Sequence, residues 1–178
     1  MKRRAALLKG VNVGGNRKLP MADLRKLVED LGYGDVKTLL ASGNVVFDAP
    51  GEATALETKL EAALETLGVK TDILIRDAAD IAKIIEDNPF ADAAKDHPNH
   101  LMVHFHRDPF PDGLIERIPD LYEGPERLHA VGRTLYVDFP RDIGHSKLPQ
   151  AMARAKFPKL NTARNWNTVT KLLAMLEK

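Results

Sequence analysis

Apolar and polar positions along this chain follow two periods in turn. Residues 4–11 form an apolar run that reads as a buried strand. Pro20 then stands where a helix would begin, and Met21, Leu24, Leu27, Val28 and Leu31 recur at helical spacing until Gly32 and Gly34. Two β-rich runs, 36–41 and 44–48, flank Ser42-Gly43. Leu56, Leu60, Leu64 and Leu67 predict a second helix closed by Gly68, and 70–76 a fourth strand. The order β-α-β-β-α-β is that of a ferredoxin-like split βαβ unit, one antiparallel sheet with both helices on one face. Residues 77–87 predict a connecting helix with Ile81, Ile84 and Ile85 on its apolar stripe, ended by Asn88-Pro89.

The second half begins the same order again. Residues 100–106 alternate as a strand, 112–121 supply a short helix, and 127–131 with 134–139 form a hairpin about Gly132-Arg133. A helix over 148–156 precedes Pro158. The final helix starts at about Asn165, with Trp166, Val169, Leu172, Leu173 and Leu176 on one face, and that phase favours a core anchor for Trp166 over a base-stacking role, which would need it exposed beside the loop. The expected class is α+β: two ferredoxin-like subdomains in tandem, 1–76 and 98–178, joined by a helix and linker over 77–97. Each would be an antiparallel sheet with helices packed on one face, the second carrying the C-terminal helix.

Composition narrows the setting. A chain of 178 residues with 44% hydrophobic and 29% charged positions is ordinary globular material. With no cysteine, disulfides, thiol catalysis and thiolate metal sites are excluded, which suits a reducing cytosol. Met1-Lys2-Arg3-Arg4 and the apolar residues after it imitate a signal peptide, but Lys9 and Gly10 end the run early. No apolar run approaches the roughly 20 residues of a membrane-spanning helix. A cytoplasmic protein with no membrane partner is expected.

Net charge is only +1, yet it is unevenly spread. Residues 1–47 carry nine Lys and Arg against four acids, 141–178 eight against two, and 48–96 five against twelve. If the basic ends met, they would form a positive face for an anionic ligand, weakened by salt. The alternative is solvated helix surface.

Candidate chemistry starts in the loop over residues 10–18. Gly14 and Gly15 allow close approach of backbone N–H groups to a ligand, and Arg17 and Lys18 add positive charge. No Gly-Lys-Ser/Thr follows the glycines, and Gly10, Gly14 and Gly15 lack dinucleotide-binding spacing. Gly10-Val11-Asn12-Val13-Gly14-Gly15, Lys18 with Pro20-Met21, Ser42-Gly43-Asn44-Val45-Val46-Phe47 and Thr162-Ala163-Arg164-Asn165-Trp166-Asn167-Thr168-Val169 resemble the signatures of the domain of unknown function (DUF) 1697 family, across nearly the whole chain. Val11 and Asn16-Arg17 depart modestly from its pattern. The resemblance implies a bacterial cytosolic protein with duplicated ferredoxin-like subdomains, and brings no activity with it.

The ligand-binding candidates are Asn12, Gly14, Gly15, Lys18, Ser42, Asn44, Arg164, Asn165 and Asn167. Their amides, hydroxyl and guanidinium suit a polar ligand, and Arg164 at a helix start would favour an anion. Structural alternatives stand beside each: Asn165 or Thr162 as a helix cap, Ser42-Gly43-Asn44 as a turn, Gly14-Gly15 as a chain reversal. His104 and His106, with His129 on a neighbouring strand, could converge on a metal. Three histidines on one strand face (His100, His104, His106) more often mark the polar side of a half-covered sheet, so no metal or other cofactor is assigned. Ser146-Lys147, Asp23 and Asp138 give no recognised nucleophile and base spacing, and no catalytic residue is assigned.

The expected function is a binding module for a small anionic or nucleotide-like ligand at a basic cleft between the 10–18 loop and the Arg164 helix start. The alternatives are an enzyme acting on such a ligand, and non-sequence-specific nucleic-acid binding. The latter is disfavoured because residues 4–10 hold no aromatic residue and 44–48 only Phe47, so a stacking pair is missing.

Overall fold

A computed structural model describes residues 1–13 and 18–178. They divide into two units, Met1–Lys83 with Lys171–Lys178, and Ile84–Thr170. In the first unit β1 (Lys2–Leu8), β2 (Gly34–Leu39), β3 (Asn44–Ala49) and β4 (Ile73–Arg76) form one sheet in the order β2-β3-β1-β4, with every pair antiparallel. Helix α1 (Met21–Asp30) joins β1 to β2, and α2 (Ala53–Glu65) joins β3 to β4.

Strand parity explains the layering. Ala6 and Leu8 of β1, Val45 and Phe47 of β3, and Ile73 and Ile75 of β4 share one face, where they pack with Leu24 and Val28 of α1 and Leu56, Leu60 and Leu64 of α2. Tyr33 stacks on Phe47 at a centroid distance of 5.3 Å. The opposite face carries Ala5, Leu7, Val46 and Leu74, also buried, and beside them Arg76 at 2% exposure. Burial on both faces is why the strands read as continuous apolar runs rather than alternating ones.

The outer edge of β4 is closed by side chains. Glu57 accepts a hydrogen bond from the Ile75 N–H and Glu61 from the Ile73 N–H, both at 3.0 Å. One helical turn apart on α2, the two carboxylates meet alternate outward amides of the strand. Glu57→Ala removes the acceptor of a buried amide and is expected to cost about 1–2 kcal/mol. Faster exchange of the Ile75 amide, with little change at Leu74, would register it.

Helix α3 (Ala78–Glu86) opens on a reciprocal box: the Asp80 N–H donates to Asp77 and the Asp77 N–H to Asp80, both at 2.9 Å. Lys2 pairs with Asp77. Burial works against the Asp77 carboxylate, but the bonds from Lys2 and the Asp80 turn outweigh it and hold its pKa below the ordinary value.

The second unit repeats the element order. Strands β5 (Leu101–His106), β6 (Arg127–Val131), β7 (Thr134–Asp138) and β8 (Asn161–Asn165) stand in the order β6-β7-β5-β8, all antiparallel. A short 3-10 turn Ile115–Arg117 runs into α5 (Ile118–Leu121), where a longer helix over 112–121 was expected. Helix α6 (Leu148–Arg154) precedes β8. Leu135 and Val137 of β7, with Met102 and Leu128, pack under Ile118, Leu148 and Ala151. The β6–β7 turn has φ of +56° at Gly132 alone of its two central residues, a conformation that glycine supplies in a two-residue hairpin.

Two elements escape the pattern read from sequence: α4 (Ala91–Asp96) and strand β8. Helix α7 (Trp166–Leu176) then closes the chain, with Trp166 at 8% exposure on its packed side. Among the described residues, no helix is long and apolar enough to cross a membrane.

Candidate functional site

Asn12, in the left-handed region at φ +57°, acts as a clasp. Its amide nitrogen donates to the carbonyls of Leu19 (2.8 Å) and Ala41 (2.7 Å), and its oxygen accepts the Leu19 N–H at 2.7 Å. These three bonds tie Asn12 to the chain itself, at Leu19 and at Ala41. Gly14 and Gly15, with Asn16 and Arg17, lie outside the described residues; Lys18 is exposed. Asn44 is buried, donating to the Leu39 carbonyl at 2.8 Å and to Ser42 Oγ at 3.1 Å. Gly43 between them has φ +91°, and a Cβ there would stand 2.6 Å from Val11 Cγ2 and 3.0 Å from Leu8 Cβ. The Ser42-Gly43-Asn44 segment is a tight turn pressed on β1, whose Leu8 N–H donates to the Gly43 carbonyl.

Arg164, expected at a helix start, lies instead inside β8, opposite Val103 and 5% exposed. Its Nη1 donates to Thr162 Oγ1 (2.7 Å) and to the Ala163 carbonyl (2.8 Å), and burial lowers its pKa to about 10. The strand parity that puts Arg164 on the sheet face away from α5 and α6 makes it part of the interior. Arg76 repeats this arrangement in the first unit: it lies on the fourth strand of its sheet and donates to the carbonyl of the preceding residue, Ile75. Asn165 is the cap of α7, accepting the Thr168 N–H at 3.0 Å.

The metal reading fails on sheet parity. His104 stands opposite Leu135, whereas His129 stands opposite Tyr136, the next residue of β7, so His129 faces the other side of the sheet from His104 and His106. Among the described residues no group of three or more His, Cys, Asp or Glu could hold a metal ion. His104 lies on the helix-covered face, where burial pushes its pKa down to about 4 against a smaller opposing bond to Asn161. The sheet aromatics Phe47, Phe105 and Tyr136 are all buried, so they offer bases no stacking surface.

A different cluster of polar groups forms in the second unit. Asp138, at the end of β7 and 1% exposed, accepts Nε2 of His97 at 2.6 Å on one oxygen and Arg127 at 2.8–2.9 Å on the other. Arg127 also grips both oxygens of Asp92 at 3.0 Å and lies over the Phe90 ring, holding the Asp92 carboxyl below its usual range. His97 begins the 3-10 turn Pro98–His100, which the Phe139 N–H also ties to β7 through the His100 carbonyl. The His97 and His100 rings are 6.2 Å apart. Asn99, between them in sequence, accepts the amide of Asn167 in the first turn of α7 at 2.5 Å. Beyond His100, Asp142 bonds to the exposed His145, raising that imidazole's pKa and lowering its own, with His100 adding to the latter.

Of the candidates read from sequence, Asn165 and Asn167 therefore meet at the start of α7, beside a turn that brings in His97, Asn99 and His100. His97, Asn99 and the role of Asp138 escape sequence reasoning because their partners lie 41 and 68 positions away in the chain, and His100, expected on the face of a strand, stands in the 3-10 turn instead.

The profile of the DUF1697 family, described as "Protein of unknown function", matches residues 1–136. Among solved structures, the conserved bacterial protein SP0830 from Streptococcus pneumoniae is 26% identical with a TM-score of 0.72, covering 100% of this chain and 99% of its own. No curated protein matches the sequence. With that match spanning well over half of its length, the chain belongs to the DUF1697 family.

Proposed function

We propose that the chain is a binding module for a small anionic ligand, held in the second unit by the turn Pro98–His100, His97 and the first turn of α7. Each unit serves as a ferredoxin-like split βαβ scaffold, a reading supported by the repeated β-α-β-β-α-β order and the matching strand orders. The observation that carries the binding function is the Asn99–Asn167 bond. It sets a side-chain amide and two histidines at a helix N-terminus, where Asn165 caps Thr168 but the N–H groups of Trp166 and Asn167 precede the first intrahelical bonds. With one Asn167 amide hydrogen given to Asn99, the Asn99 nitrogen and the second Asn167 hydrogen are the side-chain donors left to face a ligand. The basic-cleft reading built on Arg164 gives way, because that guanidinium is committed inside β8.

Isothermal titration with inorganic phosphate, AMP and ATP tests this. Asn99→Ala is expected to weaken the best of these ligands about tenfold, the loss of one charge-assisted hydrogen bond. Equal affinity in wild type and variant, or no heat with any of the three, overturns the reading. Catalysis on the same ligand is a second reading, favoured by one observation: buried Asp138 orients the His97 ring as a carboxylate orients a general base. It requires a His97→Gln variant that keeps binding and loses turnover.

A further inference from the structure

Two of the sheet edges are treated differently. In the first unit the outward amides of β4 are taken by Glu57 and Glu61. In the second unit the edge strand β6 pairs only with β7, through a two-residue hairpin in which Val131–Thr134, His129–Tyr136 and Arg127–Asp138 are the hydrogen-bonded pairs. That register turns the N–H and C=O groups of Leu128 and Ala130 away from β7, to the open side of the sheet.

Along this edge runs a trough in two joined cavities of about 540 and 510 Å³, sharing Ile115 and Leu128 in their walls. Its apolar lining includes Phe110, Ile118 and Ala130. Every formally charged side chain lining it is acidic: Asp112, Glu116, Glu123 and Glu126. We propose that β6 and this trough form a docking edge for an extended cationic peptide of a partner protein, added to the sheet as a fifth strand. Main-chain bonds to Leu128 and Ala130 would supply the pairing; alternate side chains of the added strand face the trough, where Lys or Arg would lay their stems on its apolar lining and bring their charges to the carboxylates. A second copy of this chain is the wrong occupant, since β6 against β6 would set acidic rim against acidic rim.

The test is an NMR titration of the full chain with an acetylated, amidated hexapeptide of alternating Lys and Val, against a Glu-Val control. The Lys-Val peptide is expected to shift the amides of Leu128 and Ala130 and slow their exchange, while the Glu-Val peptide leaves them in place. Glu116→Lys with Glu123→Lys is expected to weaken binding about tenfold, and added salt to weaken it in wild type. Ala130→Pro, which deletes one outward N–H and spares the β7 ladder, is expected to abolish it. Shifts confined to other surfaces, equal binding of both peptides, or affinity unchanged in the charge-reversed variant overturns the proposal. Sedimentation showing self-association that Ala130→Pro abolishes would overturn it too, assigning the edge to a second copy. Should Ala130→Pro fail to fold, the charge-reversed variant alone decides.

Discussion

Asp138→Ala is expected to cost about 3 kcal/mol in urea unfolding followed by Trp166, the chain's one tryptophan and a residue of the same unit. Asp138 is 1% exposed and is the common acceptor for His97 and Arg127, so its removal strands two partners at once. The value sits at the low end for a broken buried pair because His97 and Arg127 reach water and Arg127 keeps Asp92. Asp138→Asn, which keeps an acceptor without the charge, should recover about half of the loss. The same substitution releases His97 from β7, so the alanine variant should also bind the small anion more weakly. A cost under about 1 kcal/mol would assign the cluster's strength to Arg127 and Asp92 instead.

Acid is expected to weaken this unit well before its carboxylates protonate. His104 has a folded pKa near 4 against 6.5 for the free side chain, chiefly through burial. Between those values the unfolded chain binds more protons than the folded one, so stability falls as pH drops below 6.5 and the loss is complete near pH 4. The total is about 3 kcal/mol, at about 1.36 kcal/mol for each pH unit between those values. The depressed Asp77 carboxyl acts in a lower window: its contribution is present above its unfolded value of 3.8 and fades as pH falls through its folded one. Urea midpoints at pH 7.0 and 4.5 measure the histidine effect. His104→Gln should flatten the difference, and an unchanged slope in that variant would reassign the acid sensitivity to another group.

What could be read from the chain was whatever depended on local period. Leu24 and Val28 or Leu56, Leu60 and Leu64 announce helices because each face must meet an apolar sheet, and both hairpin strands about Gly132 are visible by their turn residue. Strand β8 was illegible for the opposite reason. Its inward positions on the face away from the helices are Thr162 and Arg164, so burial there is achieved by hydrogen bonding rather than by apolar side chains, and no alternation marks it. Arg164 was therefore assigned to a helix start, one element too late. Helix α4 is six residues of small and charged side chains, too short to show a face. Asn12, Asn44 and Asn165 stand among the ligand-binding candidates for their amides, but sequence alone does not say whether an amide bonds a ligand or its own backbone; all three bond the backbone. The His97–Asp138 contact depends on where a turn crosses a strand end, information that appears only when the sheet register is fixed.

The paired buried arginines carry a thermal consequence. Arg76 and Arg164 each give up hydration to sit inside a sheet face, and the hydration of ions grows less favourable as water warms. Their desolvation cost therefore shrinks on heating and grows on cooling. Hydrophobic burial also weakens in the cold, so the two effects act in the same direction at low temperature. Both terms therefore steepen the cold side of the stability curve, and the two arginines cost the fold least where it is warm.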